Sequence, residues 1–300
     1  MTSAQNPEIR YNGLMDNSQM EITPTSKVVD LKPNDIVDGE FTITNNSDEA
    51  HEYKIYSSPY YAVGENYSIS FDLKNRYTKM AEWIAIKMPS GGYELEGTIT
   101  VSAKSSETIG YRIAMSADAD SYNQYATIMV EQVNKNSSIT SGVETISRIG
   151  YVIYGLTDKV VEAEPEVQTP SIQSDVTNSS ILAGTTVTNG STTDISAEYT
   201  LTVKNIFGKV LHEESKTVSI WPETARNVQA EWTGSPSIGL MTVSYTITSE
   251  GITSEQTRTV LKMPVISIIT LALLVGVEIA SIVMLHKSKK QKRSISKFKK

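Results

Sequence analysis

The amino-acid sequence predicts a mostly β protein: two antiparallel β-sandwich domains followed by a single C-terminal transmembrane helix. Three observations predict it. Apolar and polar residues alternate at period two through much of the first 262 positions. Clusters of Gly, Ser, Asn and Asp cut these runs at short intervals, with no amphipathic helical pattern between them. Residues 263–285, MPVISIITLALLVGVEIASIVML, hold one ionisable side chain, Glu278, in 23 positions.

Taken in order, residues 1–19 are polar and are expected to form a flexible N-terminus. The first sandwich is expected over 20–161. Phe41/Ile43 and Tyr53/Ile55 alternate on either side of a turn at Asn45–Asp48. Further strands are expected at Gly97–Ala103, Glu107–Met115, Tyr125–Gln132 and Ser147–Tyr154. Between them, 59–88 breaks the rhythm and is rich in aromatics, so it is expected to be an ordered insertion packed on the sandwich.

Residues 162–170, EAEPEVQTP, are acidic with two prolines and are expected to link the domains. The second sandwich is expected over 171–262. There Ala197, Tyr199, Leu201 and Val203 fall on one face of a strand, and Phe207-Gly208-Lys209 marks a hairpin turn. Trp232 is the candidate core tryptophan. The strand spacing suits an Ig-like architecture, without the cysteine pair of antibody domains.

At about 1.5 Å per residue the apolar stretch 263–285 reaches roughly 34 Å, the thickness of a hydrocarbon core. Its 13 Val, Ile and Leu residues outweigh the cost of Glu278. Pro264 suits the first turn of such a helix. The tail 286–300 carries eight Lys or Arg and no acid. By the positive-inside rule the tail is cytoplasmic and the sandwiches are extracellular. Lys287, Lys289, Lys290, Lys292 and Arg293 are placed to meet anionic inner-leaflet lipids. Ala272, Gly276 and Ala280 recur every fourth position and suit close helix pairing in a homodimer, with Glu278 as a polar partner on the other face. An exported chain of this kind is expected to have a cleavable leader upstream of its first residue, or to have lost one.

The chain has 27 Lys and Arg against 34 Asp and Glu. Setting aside the eight tail cations and Glu278, residues 1–262 keep 19 and 33, a net charge of −14. Such a surface excludes nucleic acid as a natural partner. There are no cysteines, so the cores alone must hold the fold; this suits export from a bacterium that uses few disulfides, of Gram-positive envelope type. Asn-x-Ser sequons stand at Asn45, Asn66, Asn136, Asn178 and Asn189, at a frequency this composition produces by chance.

Little points to catalysis. The three histidines, His51, His212 and His286, have no cysteine to share a metal with, and His51 and His212 are expected to be exposed strand residues. No nucleophile-elbow, zincin or phosphate-loop motif occurs. Asp118, Asp120 and Asn123 have calcium-type spacing, but Tyr122 and Met129 stand where an EF-hand loop needs ligands. No cofactor, no metal and no enzymatic activity are expected. The candidate binding residues are Tyr60, Tyr61, Tyr67, Tyr77 and Trp83 of the insertion, whose rings could face a carbohydrate or peptide or else cover a sheet.

The stretch LKPNDIVDGEFTITNNSDEAHEYKI, then SSPY, EWI and ETIGYRIAMSADADSYNQYATIMVE, resembles bacterial surface proteins related to the WxL-interacting proteins of Gram-positive bacteria. The resemblance is strongest over about Asp30–Tyr154. It implies an N-terminal sandwich that binds peptidoglycan, a second that binds host components, and a C-terminal membrane helix with a basic tail. The expected function is therefore a non-enzymatic, membrane-anchored surface protein that binds a cell-wall polymer, another surface protein or a host component, through sheet edges and the Tyr-rich insertion. The alternative is an assembly factor resembling a pilus chaperone.

Overall fold

A computed structural model describes residues 19–120, 122–133, 147–157, 162–177, 180–234, 238–263 and 265–298. Side chains within the last helix are described as far as Lys287. The expected flexible residues 1–18, the sequons at Asn136 and Asn178, Pro264 and the tail side chains Lys289, Lys290, Lys292 and Arg293 fall outside the described set. The chain is mostly β, with antiparallel Ig-like sheets and one long C-terminal helix. It divides into two compact units.

The first unit comprises 1–166 together with two later segments, 187–196 and 219–226. Its strands are β1 (Met20–Thr23), β2 (Ser26–Asp30), β3 (Ile36–Asn45), β4 (His51–Pro59), β5 (Tyr61–Val63), β6 (Ser68–Ser70), β7 (Ile84–Lys87), β8 (Tyr93–Glu94), β9 (Glu96–Val101), β10 (Ser105–Ala114), β11 (Gln124–Gln132) and β12 (Arg148–Leu156). One helical turn, α1 (Met80–Trp83), precedes β7. Two five-stranded sheets form, in the orders β1-β3-β10-β7-β8 and β2-β12-β11-β4-β9. Pairing is antiparallel except that β2 runs parallel to β12.

The predicted alternation becomes the core. Phe41, Ile43, Ile109, Tyr111 and Ile113 of one sheet pack with Tyr53, Ile55, Ile128, Val130, Tyr151 and Ile153 of the other. Phe41 stacks on Tyr151 at 4.9 Å between ring centroids, and the Tyr111 and Tyr151 hydroxyls meet at 3.3 Å. Each fully buried ring or branched side chain contributes roughly 1.5–3 kcal/mol. Gly39 lies opposite Tyr111, and a Cβ there would fall on the tyrosine ring. The insertion is ordered: it holds the β5–β6 hairpin, α1 and β7, and β7 joins the first sheet beside β10.

The second unit comprises 167–186, 197–218 and 227–300. The later strands are β13 (Glu166–Val167), β14 (Ser171–Ser174), β15 (Ser180–Thr188), β16 (Ile195–Asn205), β17 (Val210–Ile220), β18 (Ala225–Thr233), β19 (Gly239–Ser249) and β20 (Ile252–Lys262), followed by α2 (Val265–Phe298). Their sheets run β13-β15-β14, with β18 also on β15, and β17-β16-β19-β20. The expected linker 162–170 thus contains a short strand, β13. Ala197, Tyr199, Leu201 and Val203 are buried on one face of β16, as the alternation predicts. The Tyr245 hydroxyl crosses between sheets to donate to the Val228 carbonyl at 2.9 Å. Trp232 is only half-buried and stacks on His212 at 6.0 Å, so the candidate core tryptophan is not the buried one.

Two of the sequons are structural corners. Asn45 is fully buried; its Nδ2 donates to the carbonyls of Glu49, Val101 and Ser102 at 2.8–3.1 Å, while its Oδ1 accepts from the backbone and hydroxyl of Ser47. Asn189 repeats this atom for atom with Thr193, Ile220, Trp221 and Ser191. The amide that a glycan would need is consumed at both sites. Replacing either asparagine by alanine strands buried carbonyls and is expected to cost about 1–3 kcal/mol. Urea unfolding of the full chain in detergent checks this; no loss at either site would mean water replaces the amide.

Candidate interaction surface

The five aromatic residues proposed for binding do not form an exposed face. Tyr60, Tyr61 and Tyr77 are 1, 4 and 2% exposed, and Tyr67 is partly buried beside them. Trp83 packs against the core between the sheets. The tyrosines pack around Trp221, itself 4% exposed, a residue not singled out from sequence. Its indole stacks on Tyr125 at 4.6 Å and 12°, with Tyr60 and Tyr61 at 5.5 and 5.3 Å. The ring faces a ligand would use are occupied by other rings.

Polar groups close around this cluster within the first unit. The Tyr67 hydroxyl accepts from the Trp221 backbone N–H and shares a 2.6 Å hydrogen bond with Thr224. The Tyr61 hydroxyl donates to the Pro222 carbonyl, and Arg76 pairs with Glu223. The Arg226 guanidinium lies 4.5 Å from the Tyr67 ring centre, and burial lowers its affinity for its proton. The Tyr125 hydroxyl donates to Asp194. Burial raises Tyr125 well above the usual phenol range. Asp194 keeps much of its residue surface in solvent, but the packed groups around its carboxyl raise it to about 6, against the lowering effect of the Tyr125 bond.

The remaining polar candidates are tied down. His51 is half-buried, with Nδ1 3.0 Å from Gln132 Nε2; His212 is half-buried under Trp232, with Nε2 3.6 Å from Glu214; His286 is exposed on α2. Asn123 accepts from the Thr157 N–H, and Asp118 accepts from Ser116. Among the described residues no three His, Asp or Glu side chains stand close enough to share a metal ion. A cleft of about 380 Å³ lies beside α1, lined by Ser57, Thr78, Lys74 and Glu82. Both its hydroxyls donate to backbone carbonyls, Ser57 to Ala81 and Thr78 to Leu73, so neither is poised as a nucleophile.

Sheet edges are the feature that stays open. In the first unit the edge strands β1, β8, β2 and β9 are two to six residues long. In the second unit β17 and β20 each run 11 residues. The flank of β20 is covered: Arg258 donates to the Ile172 carbonyl, Lys262 to those of Asp175 and Ser180, and the Met263 N–H to that of Val176. Burial at that seam lowers the Lys262 ammonium pKa. β17 ends its sheet, and among the described residues no strand pairs with its outer side. Glu213, Glu214 and Lys216 keep it polar; Lys216 holds the Glu214 carboxyl below its usual range. The helix α2 contains a 23-residue stretch, Val265–Lys287, of mean hydropathy 2.5, long and apolar enough to cross a membrane. Ala272, Gly276, Glu278 and Ala280 are exposed along it.

No protein-family model and no curated protein sequence matches the chain. Among solved structures it is similar to the class 5 fimbriae chaperone CfaA, at 13% identity over 82% of this chain and 100% of that one, with a TM-score of 0.36. It is also similar to the E. coli chaperone DraB (12%, 80% and 96%, 0.36) and to the Pseudomonas aeruginosa CupB2 chaperone (10%, 80% and 100%, 0.35). These are likenesses of strand arrangement at low identity.

Two outcomes follow from the cluster. Trp221→Ala is expected to destabilise the chain by about 3–5 kcal/mol, as for other large buried aromatics; denaturant unfolding followed by circular dichroism measures it. A carboxyl whose folded pKa, about 6, exceeds its ordinary 3.8 binds protons more strongly when folded, so stability falls as pH rises between those values. Asp194→Asn is expected to flatten that part of the pH–stability curve, and an unchanged slope would assign it to other groups.

Proposed function

We propose that this chain is a non-enzymatic, membrane-anchored binding protein that takes an extended segment of an exported protein partner as an added strand on β17. The observation that carries this reading is the edge of β17 from Val210 to Val218, on which no strand pairs among the described residues, in a sheet whose opposite edge is covered; the last two residues of β17 are already engaged, Ser219 by Arg226 and Ile220 by Asn189. An edge of that length spans roughly 30 Å and offers main-chain donors and acceptors that need no special side chain on the partner. The charged residues on β17 limit indiscriminate pairing and favour a partner whose sequence complements them. The apolar stretch of α2 supplies the anchor, and the basic residues after it favour a cytoplasmic tail with the sandwiches outside. A partner held permanently makes the protein a surface scaffold or adhesin. A partner released to another acceptor makes it an assembly factor.

Site-specific photo-crosslinking in cells tests the reading. A photoreactive residue at Ser215 or Thr217 of β17 is expected to capture an exported protein, whereas one at Thr259 of β20 is not. Equal capture at all three positions, or none at β17, would overturn strand addition. Pulse–chase of the adduct separates the two fates, since an assembly factor exchanges its partner and a scaffold keeps it.

A further inference from the structure

Outside α2, the second unit exposes seven large apolar residues among those described, and all of them lie at one end of its sheets. Strand register fixes this. Leu240 pairs with Leu261, and Gly239 with Lys262, the last residue of β20. Ile238 is the residue before Gly239. Asn205 pairs with Met241, which places Ile206 and Phe207 in the hairpin tip just beyond the same end. The Val176 carbonyl accepts from the Met263 N–H. Phe207 is 86% exposed, Ile206 63% and Ile238 66%. At the opposite end the β19–β20 hairpin turns through Glu250 and Gly251, and among the described residues no large apolar residue there is exposed.

Such segregation is not what a uniformly solvated domain shows, because single exposed apolar residues ordinarily scatter. Here they gather where the chain passes into its apolar helix: Leu261 is four residues from Val265, the first residue of α2. Neighbouring strands lie about 4.8 Å apart, so β16, two strands from β20, brings the Ile206–Phe207 tip to about 10 Å beside the point where the helix begins. An aromatic flanked by aliphatic residues at that depth is suited to the boundary between headgroups and acyl chains, where apolar bulk is buried and the backbone of the turn remains hydrated.

We propose that this end of the second sandwich rests in the outer leaflet of the same membrane, with Ile206, Phe207, Ile238, Leu240, Leu261 and Val176 embedded at its interface. The proposal rests on the membrane-spanning reading of α2. It gives the domain a fixed footing beside its anchor rather than a free tether, and it sets the strand axes of its sheets against the membrane plane.

The chain has no cysteine, so single-cysteine variants can be labelled without altering a native thiol. Full-length protein is reconstituted in phosphatidylcholine–phosphatidylglycerol vesicles with an environment-sensitive fluorophore at Phe207→Cys, Ile238→Cys, Glu198→Cys or Val275→Cys. Brominated lipids then report contact with acyl chains. Labels at 207 and 238 are expected to be blue-shifted and quenched several-fold more than the label at 198, which lies towards the far end of β16. A label at 275, within the span, calibrates insertion. Quenching at 275 with 207 and 238 behaving like 198 overturns this proposal and leaves the anchor standing. No quenching at 275 removes both. Shielding at 207 that rises with the protein-to-lipid ratio, without lipid quenching, assigns the surface to a second copy of the chain and also overturns the proposal.

Discussion

The stack of Trp221 on Tyr125 is the contact on which the outer layer of the first unit depends. The insertion between β4 and β7 is too polar to form a core of its own, and its tyrosines need an apolar surface to bury their rings. The indole supplies one, and the surrounding hydroxyls settle on carbonyls and side chains of the same two segments, 187–196 and 219–226. Hydrogen bonding lowers the cost of this burial, because an enclosed hydroxyl without a partner is penalised. Tyr61, Tyr67 and Tyr125 find partners, whereas the Tyr77 hydroxyl is enclosed without one among the described residues, so ring packing carries its burial.

The paired asparagine corners show a second constraint. Where a strand of one sheet gives way to the next, backbone carbonyls turn inward without a ladder partner. In each corner one amide group satisfies three carbonyls, and the serine two positions later satisfies the amide oxygen. An Asn-x-Ser triplet is the smallest sequence with the donors and acceptor to do this. Its recurrence at Asn45 and Asn189 reflects the same corner built twice, without disulfides to close it.

What was legible in the sequence follows from this. Period-two alternation identified β3, β4, β10, β12 and β16 because burial of one face writes itself directly into neighbouring residues, whereas β11 is buried on both faces over Gln124–Val130 and reads as a near-continuous apolar run. The apolar run of α2 is equally local. Trp221 was not legible: it follows a half-exposed strand, precedes Pro222 and finds its partners far away in the chain, with Tyr61 and Pro222 separated by 161 positions. Trp232 lies in an alternating strand and so looked more like core, yet β18 leaves it at a half-exposed position over His212. Edge status was illegible for the same reason, since β17 and β20 have similar lengths and polarity. The bonds from Arg258, Lys262 and Met263 mark the covered edge, whereas on β17 the bonds from Arg226 and Asn189 reach only its last two residues.

The second unit exposes two surfaces of opposite character, and the difference argues for different occupants. The flank of β17 is a row of main-chain groups between charged side chains, which water can satisfy until a strand replaces it. The apolar end at Ile206, Phe207 and Ile238 offers nothing to water and gains only by leaving it. A protein partner could use the first reversibly, because breaking a strand ladder returns its groups to solvent at modest net cost. The second has no such balance and would remain committed to whatever covers it. If α2 spans a membrane as proposed, that membrane is always adjacent to a domain two residues away, so a permanent apolar surface is tolerated at that end of the domain and would be a liability at any other.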